Sequence, residues 1–469
     1  VIFRQYVDDD LFCASYLLGD AGEAIVVDPG WEIGRYLETA RAHRLRIRHV
    51  LETHVHADHV SGRQRLAEAT GATPYLPAGS DGPSGQPTLR DGDALRVGQV
   101  EVRVLATPGH RPEHVAYLVA DTARAETPCL VLTGDSLLVG DVARPDLAAD
   151  GEADVDAASR TLFATVNRLA SLADHVEVWP GHLGGSLCGG AGVSGRPSST
   201  IGYERRTSVG LRAALEDEFA AELLVRLPER PPTVDRVVAL NRDAQAQPSV
   251  EVPTRLAPGE VRELLAAGAL LLDGRPAEEF DDASIPGSLS IPLDIAGVGN
   301  RAAWFAAGRR IVLNAADESG VRLLAERLHA VGLFDIVGLL DGGIERWREA
   351  GYDVGTTGRI EADELARLLR DDAVTLVDLR DDDEYELAHV PGSVHIPWRE
   401  VLERSAAAVE PGKPVIVACA SGRRTPTAAS ALAQAGGPPV LRLAEGGIPD
   451  LATHGIALVS GPAARAPVF

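Results

Sequence analysis

Thr53-His54-Val55-His56-Ala57-Asp58-His59 is the stretch on which the reading of this chain turns. The apolar run Ile47 to Leu51 precedes it and Ser61-Gly62 follow, so it reads as a strand end passing through a loop into a helix. Three imidazoles and a carboxylate between positions 54 and 59, beside a buried strand, are costly to desolvate without a partner. A metal ion is the simplest partner. A solvated polar turn would explain a lone His pair equally well, but further ligands follow downstream.

Each of those ligands ends an apolar run, as expected if several strands deliver them to one sheet edge. Val102 to Ala106 leads to Thr107-Pro108-Gly109-His110, Cys129 to Leu132 leads to Thr133-Gly134-Asp135, and Val176 to Trp179 leads to Pro180-Gly181-His182. The set His54, His56, Asp58, His59, His110, Asp135 and His182 resembles the metallo-β-lactamase superfamily in order and spacing. The resemblance implies an αββα sandwich of the α/β class.

The bounds from composition are permissive. At 469 residues the chain suggests about three domains. With 45% hydrophobic and 24% charged residues it reads as globular protein. A net charge of -23 argues against nucleic acid or an anionic membrane as partner, so any anion site must be local. No run approaches a membrane span, and Val1-Ile2-Phe3-Arg4 reads as neither signal nor transit peptide. Cys13, Cys129, Cys188 and Cys419 are scattered and suggest no disulfide framework; a reducing cytoplasm fits. The sequence contains no methionine, and it leaves open whether the chain is a monomer or a homo-oligomer.

Along the first part, short apolar runs such as Ala14 to Leu18 and Ala24 to Val27 alternate with helical patterns near Glu32 to Ala42 and Gln64 to Thr70, a βα rhythm. Asp28-Pro29-Gly30 closes a strand, where Asp28 could cap the turn or orient a ligand from behind. Residues 79 to 93 read as a surface loop, Ala157 to Leu172 as a helix, and helical patterns from Val209 to Leu227 close the domain. A Pro-containing linker runs from Ala246 to Pro258.

The remainder repeats itself. Asp273 and Arg275 correspond to Asp378 and Arg380, and Ile285-Pro286-Gly287-Ser288 to Val390-Pro391-Gly392-Ser393, at an offset of 105; Gly342-Gly343-Ile344 matches Gly446-Gly447-Ile448 at 104. In the second copy Val415 to Ala418 leads into Cys419-Ala420-Ser421-Gly422-Arg423-Arg424, with a helix from Ala428 to Ala435. Here the chain resembles a rhodanese, whose active loop begins with Cys at a strand end. Loop N–H groups and a helix N-terminus suit a thiolate and its persulfide, and Arg423 and Arg424 are expected to attract anionic sulfur donors and acceptors. The 105 offset assigns Asn314 to the place of Cys419, in a loop carrying Asp317 and Glu318. The first copy is therefore read as a catalytically inactive spacer or docking domain. The expected division is 1–245, 252–356 and 357–469.

Fold and ligand types leave the metal chemistry open. As a hydrolase like glyoxalase II, the chain would hold two zinc ions on His54, His56, His110 and Asp135 with Asp58, His59 and His182. As an oxygenase, it would hold one Fe(II) on His54, His110 and Asp135, leaving positions for dioxygen and a substrate sulfur. Over nearly its full length the chain is similar to persulfide dioxygenase–rhodanese fusions. That resemblance implies oxidation of a small thiol persulfide to sulfite at iron, then transfer of sulfur from Cys419 to sulfite, giving thiosulfate. A non-catalytic persulfide sensor or scaffold is the third reading. Cys188 lies where such fusions carry a cysteine near the metal and could relay sulfur, or could be a small residue in a Gly-rich loop. Cys13 and Cys129 are expected in the core, and His114 is expected to line the pocket.

Overall fold

The computed structural model describes residues 1–148, 152–190, 192–225, 227, 229–243, 247, 253–405, 412–434 and 436–462. Of the linker read between Ala246 and Pro258, residues 246 and 248–252 lie outside them, and the described part is not all linker: Arg255–Leu256 is a strand and Pro258 opens the helix Pro258–Ala266. The chain divides into two compact units, Val1–Ser249 with His329–Gly332, and Val250–Leu328 with Leu333–Phe469.

In the first unit one sheet runs in chain order through β1 (Ile2–Val7), β2 (Ala14–Asp20), β3 (Glu23–Val27), β4 (Arg46–Leu51), β5 (Thr73–Pro77) and β6 (Thr88–Leu89). The other is ordered β12 (Ser199–Thr200), β11 (Glu177–Pro180), β10 (Leu130–Gly134), β9 (Val115–Asp121), β8 (Val100–Ala106), β7 (Ala94–Val97). Successive strand residues face opposite sides, and this alternation builds the layers. Leu18, Val27 and Leu51 of the first sheet meet Val102, Val104, Tyr117 and Leu132 of the second between the sheets. Their neighbours Leu17, Val26 and Val50 meet Tyr36 and Leu66 of helices Gly34–Ala42 and Arg63–Thr70. Val131 and Val178 meet Leu162, Val166 and Phe219 on the opposite outer face, on helices Glu152–Ala170 and Glu216–Val225. The expected αββα sandwich results.

The βα rhythm holds only from β3 to β6, which are parallel. From β7 to β10 the strands form an antiparallel meander, because their connections are shorter than the dozen or so residues a parallel crossover needs. Since β10 and β11 are parallel and β8 shares their direction, all three strands end at one edge. Among the described residues no helix is long and apolar enough to cross a membrane.

The second unit holds two five-stranded sheets of one design among the described residues. The first is ordered β13 (Arg255–Leu256), β17 (Ile336–Leu340), β16 (Ile311–Asn314), β14 (Leu270–Asp273), β15 (Leu289–Ser290). The second is ordered β18 (Gly358–Ile360), β22 (Val440–Leu443), β21 (Val415–Ala418), β19 (Thr375–Asp378), β20 (Val394–His395). The repeated Asp and Arg form the same buried clamp twice: Arg275 Nη2 donates to Asp273 Oδ2 at 2.6 Å and Arg380 Nη2 to Asp378 Oδ2 at 2.6 Å.

The ladders correct one correspondence read from the sequence. Asp273 pairs with Asn314, whereas Asp378 pairs with Ala418. Asn314 therefore matches Ala418, and the counterpart of Cys419 is Ala315. The later copy has one residue fewer between β20 and β21 than the first has between β15 and β16, so the 105 offset has already become 104. The first copy still lacks the thiol. It is also more than a spacer: Ser290 of β15 donates its N–H to Ser430 Oγ at 2.9 Å and accepts from Thr427 Oγ1 at 2.8 Å, holding the helix Thr425–Gln434 that follows the Cys419 loop.

Candidate metal centre and sulfur-transfer loop

Each expected ligand follows the end of a strand at the shared edge: His54 after β4, His110 after β8, Asp135 after β10 and His182 after β11. His54, His110 and Asp135 are at most 1% exposed. His54 Nε2 lies 3.8 Å and His110 Nε2 3.5 Å from Asp135 Oδ2. Among the described residues, none of these three atoms has a hydrogen-bond partner. Buried polar atoms are rarely left so, and three converging within 4.8 Å fit a common metal ion.

The surroundings hold the two rings with Nε2 facing inward. The Nδ1–H of His54 donates to Thr53 Oγ1 at 2.9 Å, and Thr53 Oγ1 donates to Asp28 Oδ2 at 2.9 Å. The Nδ1–H of His110 donates to the carbonyl of Arg144 at 2.7 Å. Burial holds both rings below the ordinary imidazole range, assisted at His54 by neighbouring His56 and His110, so both stay neutral, the form that ligates a metal. Asp28 thus orients a ligand from behind. His114 does the same: its Nε2 accepts the N–H of Asp135 at 2.9 Å, its Nδ1–H donates to Thr107 Oγ1 at 2.8 Å, and burial pushes it down to about 3. Gly134, at φ 49°, is required here, since a Cβ would lie 2.7 Å from both His114 Nε2 and Thr53 Oγ1.

The remaining four expected residues face different partners. His182 donates from Nδ1 to Asp135 Oδ1 at 2.8 Å and from Nε2 to Asp58 Oδ2 at 2.9 Å. Burial opposes its charge, yet the two carboxylates push it up to about 10. His59 Nδ1 lies 3.1 Å from Asp58 Oδ1. His56 directs Nε2 to Glu52 Oε2 at 3.0 Å and Asp28 Oδ1 at 3.2 Å, and despite burial these carboxylates hold it well above the usual range. Among the described residues, His56 Nδ1 and His59 Nε2 have no hydrogen-bond partner.

Cys188 is buried with its Sγ within 4.8 Å of ligand atoms of Asp58 and His182. Burial, then the charges of Asp58 and Asp135, hold its thiol well above the usual value, so it is protonated and a poor nucleophile in this state. Cys13 is buried as expected and forms a lone antiparallel bridge with His182. Cys129 is exposed rather than core, because it precedes the first residue of β10.

Asn241 escaped sequence reading. On the helix Val234–Arg242, it donates from Nδ2 to the carbonyls of His56 at 2.9 Å and His59 at 2.7 Å and accepts from the N–H of Ser61 at 2.8 Å. No local pattern announces a residue so distant in sequence; Glu52, next to the motif, was legible by adjacency. Asn241→Ala should lower stability by about 2–3 kcal/mol in urea unfolding, because it strands three buried backbone groups. An unchanged midpoint would show that the loop holds itself.

In the second unit Cys419 directly follows β21, buried at 1% exposure, and Thr425 Oγ1 donates to its Sγ at 3.2 Å. Burial disfavours the thiolate, but the Arg424 charge, the Thr425 hydroxyl and the N–H groups of Ser421 and Arg424 outweigh it and hold the thiol below its ordinary value. The repeated Gly-Gly pair supports this loop: a Cβ on Gly447 would lie 2.0 Å from the Ala420 carbonyl oxygen, and Ile448 donates its N–H to the Cys419 carbonyl at 2.8 Å. Gly422 turns the loop at φ 80°.

The two arginines have different tasks. Arg424 is bidentate to Glu384 at 2.7 and 2.9 Å and also meets Asp381 at 3.2 Å, and its charge favours the Cys419 thiolate. Arg423 is exposed and can meet an incoming anion. Arg424→Gln should raise the pH at which iodoacetamide alkylates Cys419 to half its maximal rate, since the positive partner of the thiolate is lost. An unmoved profile would leave the loop N–H groups as the sole cause.

The metallo-beta-lactamase superfamily matches residues 8–182, and the rhodanese-like domain matches residues 257–350 and 361–454. The mitochondrial persulfide dioxygenase ETHE1 of Bos taurus is 26% identical over 245 residues, covering 51% of this chain and 87% of that protein. A probable metallo-hydrolase of Burkholderia pseudomallei (strain 1710b) is 30% identical over 249 residues, covering 44% of this chain and 80% of that protein. The crystal structure of a metallo-beta-lactamase from Staphylococcus aureus subsp. aureus COL superposes with a TM-score of 0.63 at 29% identity, covering 72% of this chain and 98% of that one. The chain belongs to the metallo-β-lactamase superfamily, with homology to persulfide dioxygenase in that domain and two rhodanese-like domains following it.

Proposed function

We propose that the first unit is a non-haem Fe(II) dioxygenase for low-molecular-weight thiol persulfides and that Cys419 carries sulfane sulfur to the sulfite it makes. The observation that carries this reading is the convergence of three unpartnered buried atoms, on His54, His110 and Asp135, into a two-His, one-carboxylate face. Iron held there would supply open positions for dioxygen and a substrate sulfur. Thr53, Asp28, the Arg144 carbonyl and His114 orient the three ligands, and His182 neutralises the second oxygen of Asp135. The overall change is RSSH + O2 + H2O → RSH + SO3²⁻ + 2H⁺. A second RSSH passes its terminal sulfur to the Cys419 thiolate and leaves as RSH; sulfite then takes that sulfur from the Cys419 persulfide, giving thiosulfate and the Cys419 thiolate, with Arg423 meeting the anion. Small thiol persulfide, dioxygen and sulfite are thus the expected partners. Four free cysteines suit a reducing compartment such as the cytoplasm.

The likeness to a probable metallo-hydrolase, together with unpartnered His56 Nδ1 and His59 Nε2, favours a second reading as a dinuclear zinc hydrolase. Metal analysis of anaerobically purified protein with oxygen-electrode measurements separates the two. About one iron per chain and oxygen uptake on adding a persulfide are expected. Two zincs with thioester hydrolysis and no persulfide-dependent uptake would replace the dioxygenase reading.

A further inference from the structure

The helix Thr425–Gln434 meets the Cys419 sulfur with its first residue and the inactive copy along one face. Thr425 Oγ1 donates to Cys419 Sγ at 3.2 Å, so the position of the helix along its axis sets how closely that hydroxyl reaches the sulfur. Thr427, Ser430 and Gln434 follow at spacings of three and four, which puts them on one helix face.

All three bond one strand edge. β15 is the outermost strand of its sheet, and Ile291 donates its N–H to the Asp273 carbonyl, so the backbone groups of Ser290 face away from the sheet. Thr427 Oγ1 donates to the Ser290 carbonyl at 2.8 Å, and Gln434 Nε2 donates to the Ser288 carbonyl at 3.2 Å. Ser430 Oγ donates to the Thr427 carbonyl at 2.9 Å, which leaves it as the acceptor for the Ser290 N–H at 2.9 Å. Thr427 and Ser430 are at most 3% exposed, so water has little access to replace either hydroxyl.

An apolar face would hold the helix against the strand yet let it slide. Two hydroxyls that take both backbone groups of one residue fix it along its axis, because a hydrogen bond weakens steeply outside a narrow range of distance and angle. A copy with no thiol of its own thereby acts on the copy that has one. We propose that Thr427 and Ser430 are positioning residues for sulfur transfer: by gripping Ser290 of the inactive copy, they fix where the first turn of the helix meets the Cys419 sulfur. The charged groups that this turn sets against the thiol are Arg424 and, behind it, Glu384 and Asp381.

The proposal rests on the reading of Cys419 as the sulfur carrier. Alkylation needs no sulfur donor, so a failure of that reading shows separately, as thiosulfate still formed by Cys419→Ser. Iodoacetamide alkylation of Cys419 in the full chain, followed against pH by peptide mass spectrometry, tests the positioning. Thr427→Val keeps the shape of the side chain and removes its hydroxyl. It should raise the pH of half-maximal alkylation by roughly 0.7 unit, the about fivefold effect of one hydrogen bond on the thiolate, and leave the plateau rate at high pH unchanged. Ser430→Ala should shift the profile in the same direction, and Thr427→Ser, which keeps the hydroxyl, should follow the wild type. Should Thr427→Val not fold, Ser430→Ala, which deletes a single oxygen, decides alone. A lowered melting temperature with an unmoved pH profile would make the grip purely structural and overturn the proposal, as would a full shift in Thr427→Ser.

Discussion

Asp135→Ala and His110→Ala should each lose bound iron and persulfide-dependent oxygen uptake together, by more than about 100-fold, because each removes one of three ligands. Asp135 has the larger structural consequence. Its Oδ2 faces His54 and His110 at 3.8 and 3.5 Å while its Oδ1 accepts from His182, so one substitution removes a candidate ligand and one of the two carboxylates that pair with the buried His182 imidazolium. Thr53→Val tests the layer behind the ligands, since it leaves His54 in place but cuts the path from His54 Nδ1 to Asp28. A roughly 10- to 100-fold loss of metal affinity is expected, the usual cost of an orienting partner. His56→Ala should spare most of the iron, because its Nε2 is directed to Glu52 and Asp28. Iron loss from His56→Ala equal to that from His110→Ala would defeat the three-ligand assignment.

Cys419→Ser should abolish sulfur transfer to sulfite and leave oxygen uptake near the wild-type rate, so that the product shifts from thiosulfate to sulfite. The second unit supplies Cys419 with its own stabilising groups: Arg424, Thr425 and the N–H groups of Ser421 and Arg424. The first rhodanese-like copy cannot substitute, because Ala315 stands at the place of the thiol. Thiosulfate formed at the wild-type rate by Cys419→Ser, with the non-enzymatic reaction subtracted, would sink this division of labour. Cys188, beside Asp58 and His182, is then the next carrier to test in the Cys188→Ser, Cys419→Ser double variant.

Sequence periodicity located the strands and the helices flanking the ligand loop to within a few residues, and it flagged both copies of the Asp-Arg clamp. It erred where an inserted or missing residue leaves the apolar pattern intact. Counting back from Cys419 by the early offset lands on Asn314, and only the ladder pairing of Asp273 with Asn314 and Asp378 with Ala418 shows that Ala315 is the counterpart. A register shift of one residue is invisible in hydrophobicity when both strands are buried on two faces. The partners of Arg424 are hidden from the sequence for a related reason. A guanidinium beside a sulfur loop reads as an anion trap until Glu384, from another helix, is seen to hold it.

By itself the sequence displayed seven candidate ligands at strand ends, the internal repeat and the Cys419 loop, and through its resemblance to two families it implied the αββα and rhodanese-like architectures. The motifs rest on residue type and short spacing, which the linear chain displays directly. Only the tertiary structure shows which atoms of the seven are paired: among the described residues His54 Nε2, His110 Nε2 and Asp135 Oδ2 converge without hydrogen-bond partners, His56 Nδ1 and His59 Nε2 also have none, and His182 and Asp58 hydrogen-bond each other. It also decided that Asn241 clips the ligand loop and that β15 of the inactive copy holds the helix behind Cys419. The physical reason is that a side chain's direction and its hydrogen-bond partner depend on groups brought close only by folding, which local spacing does not encode.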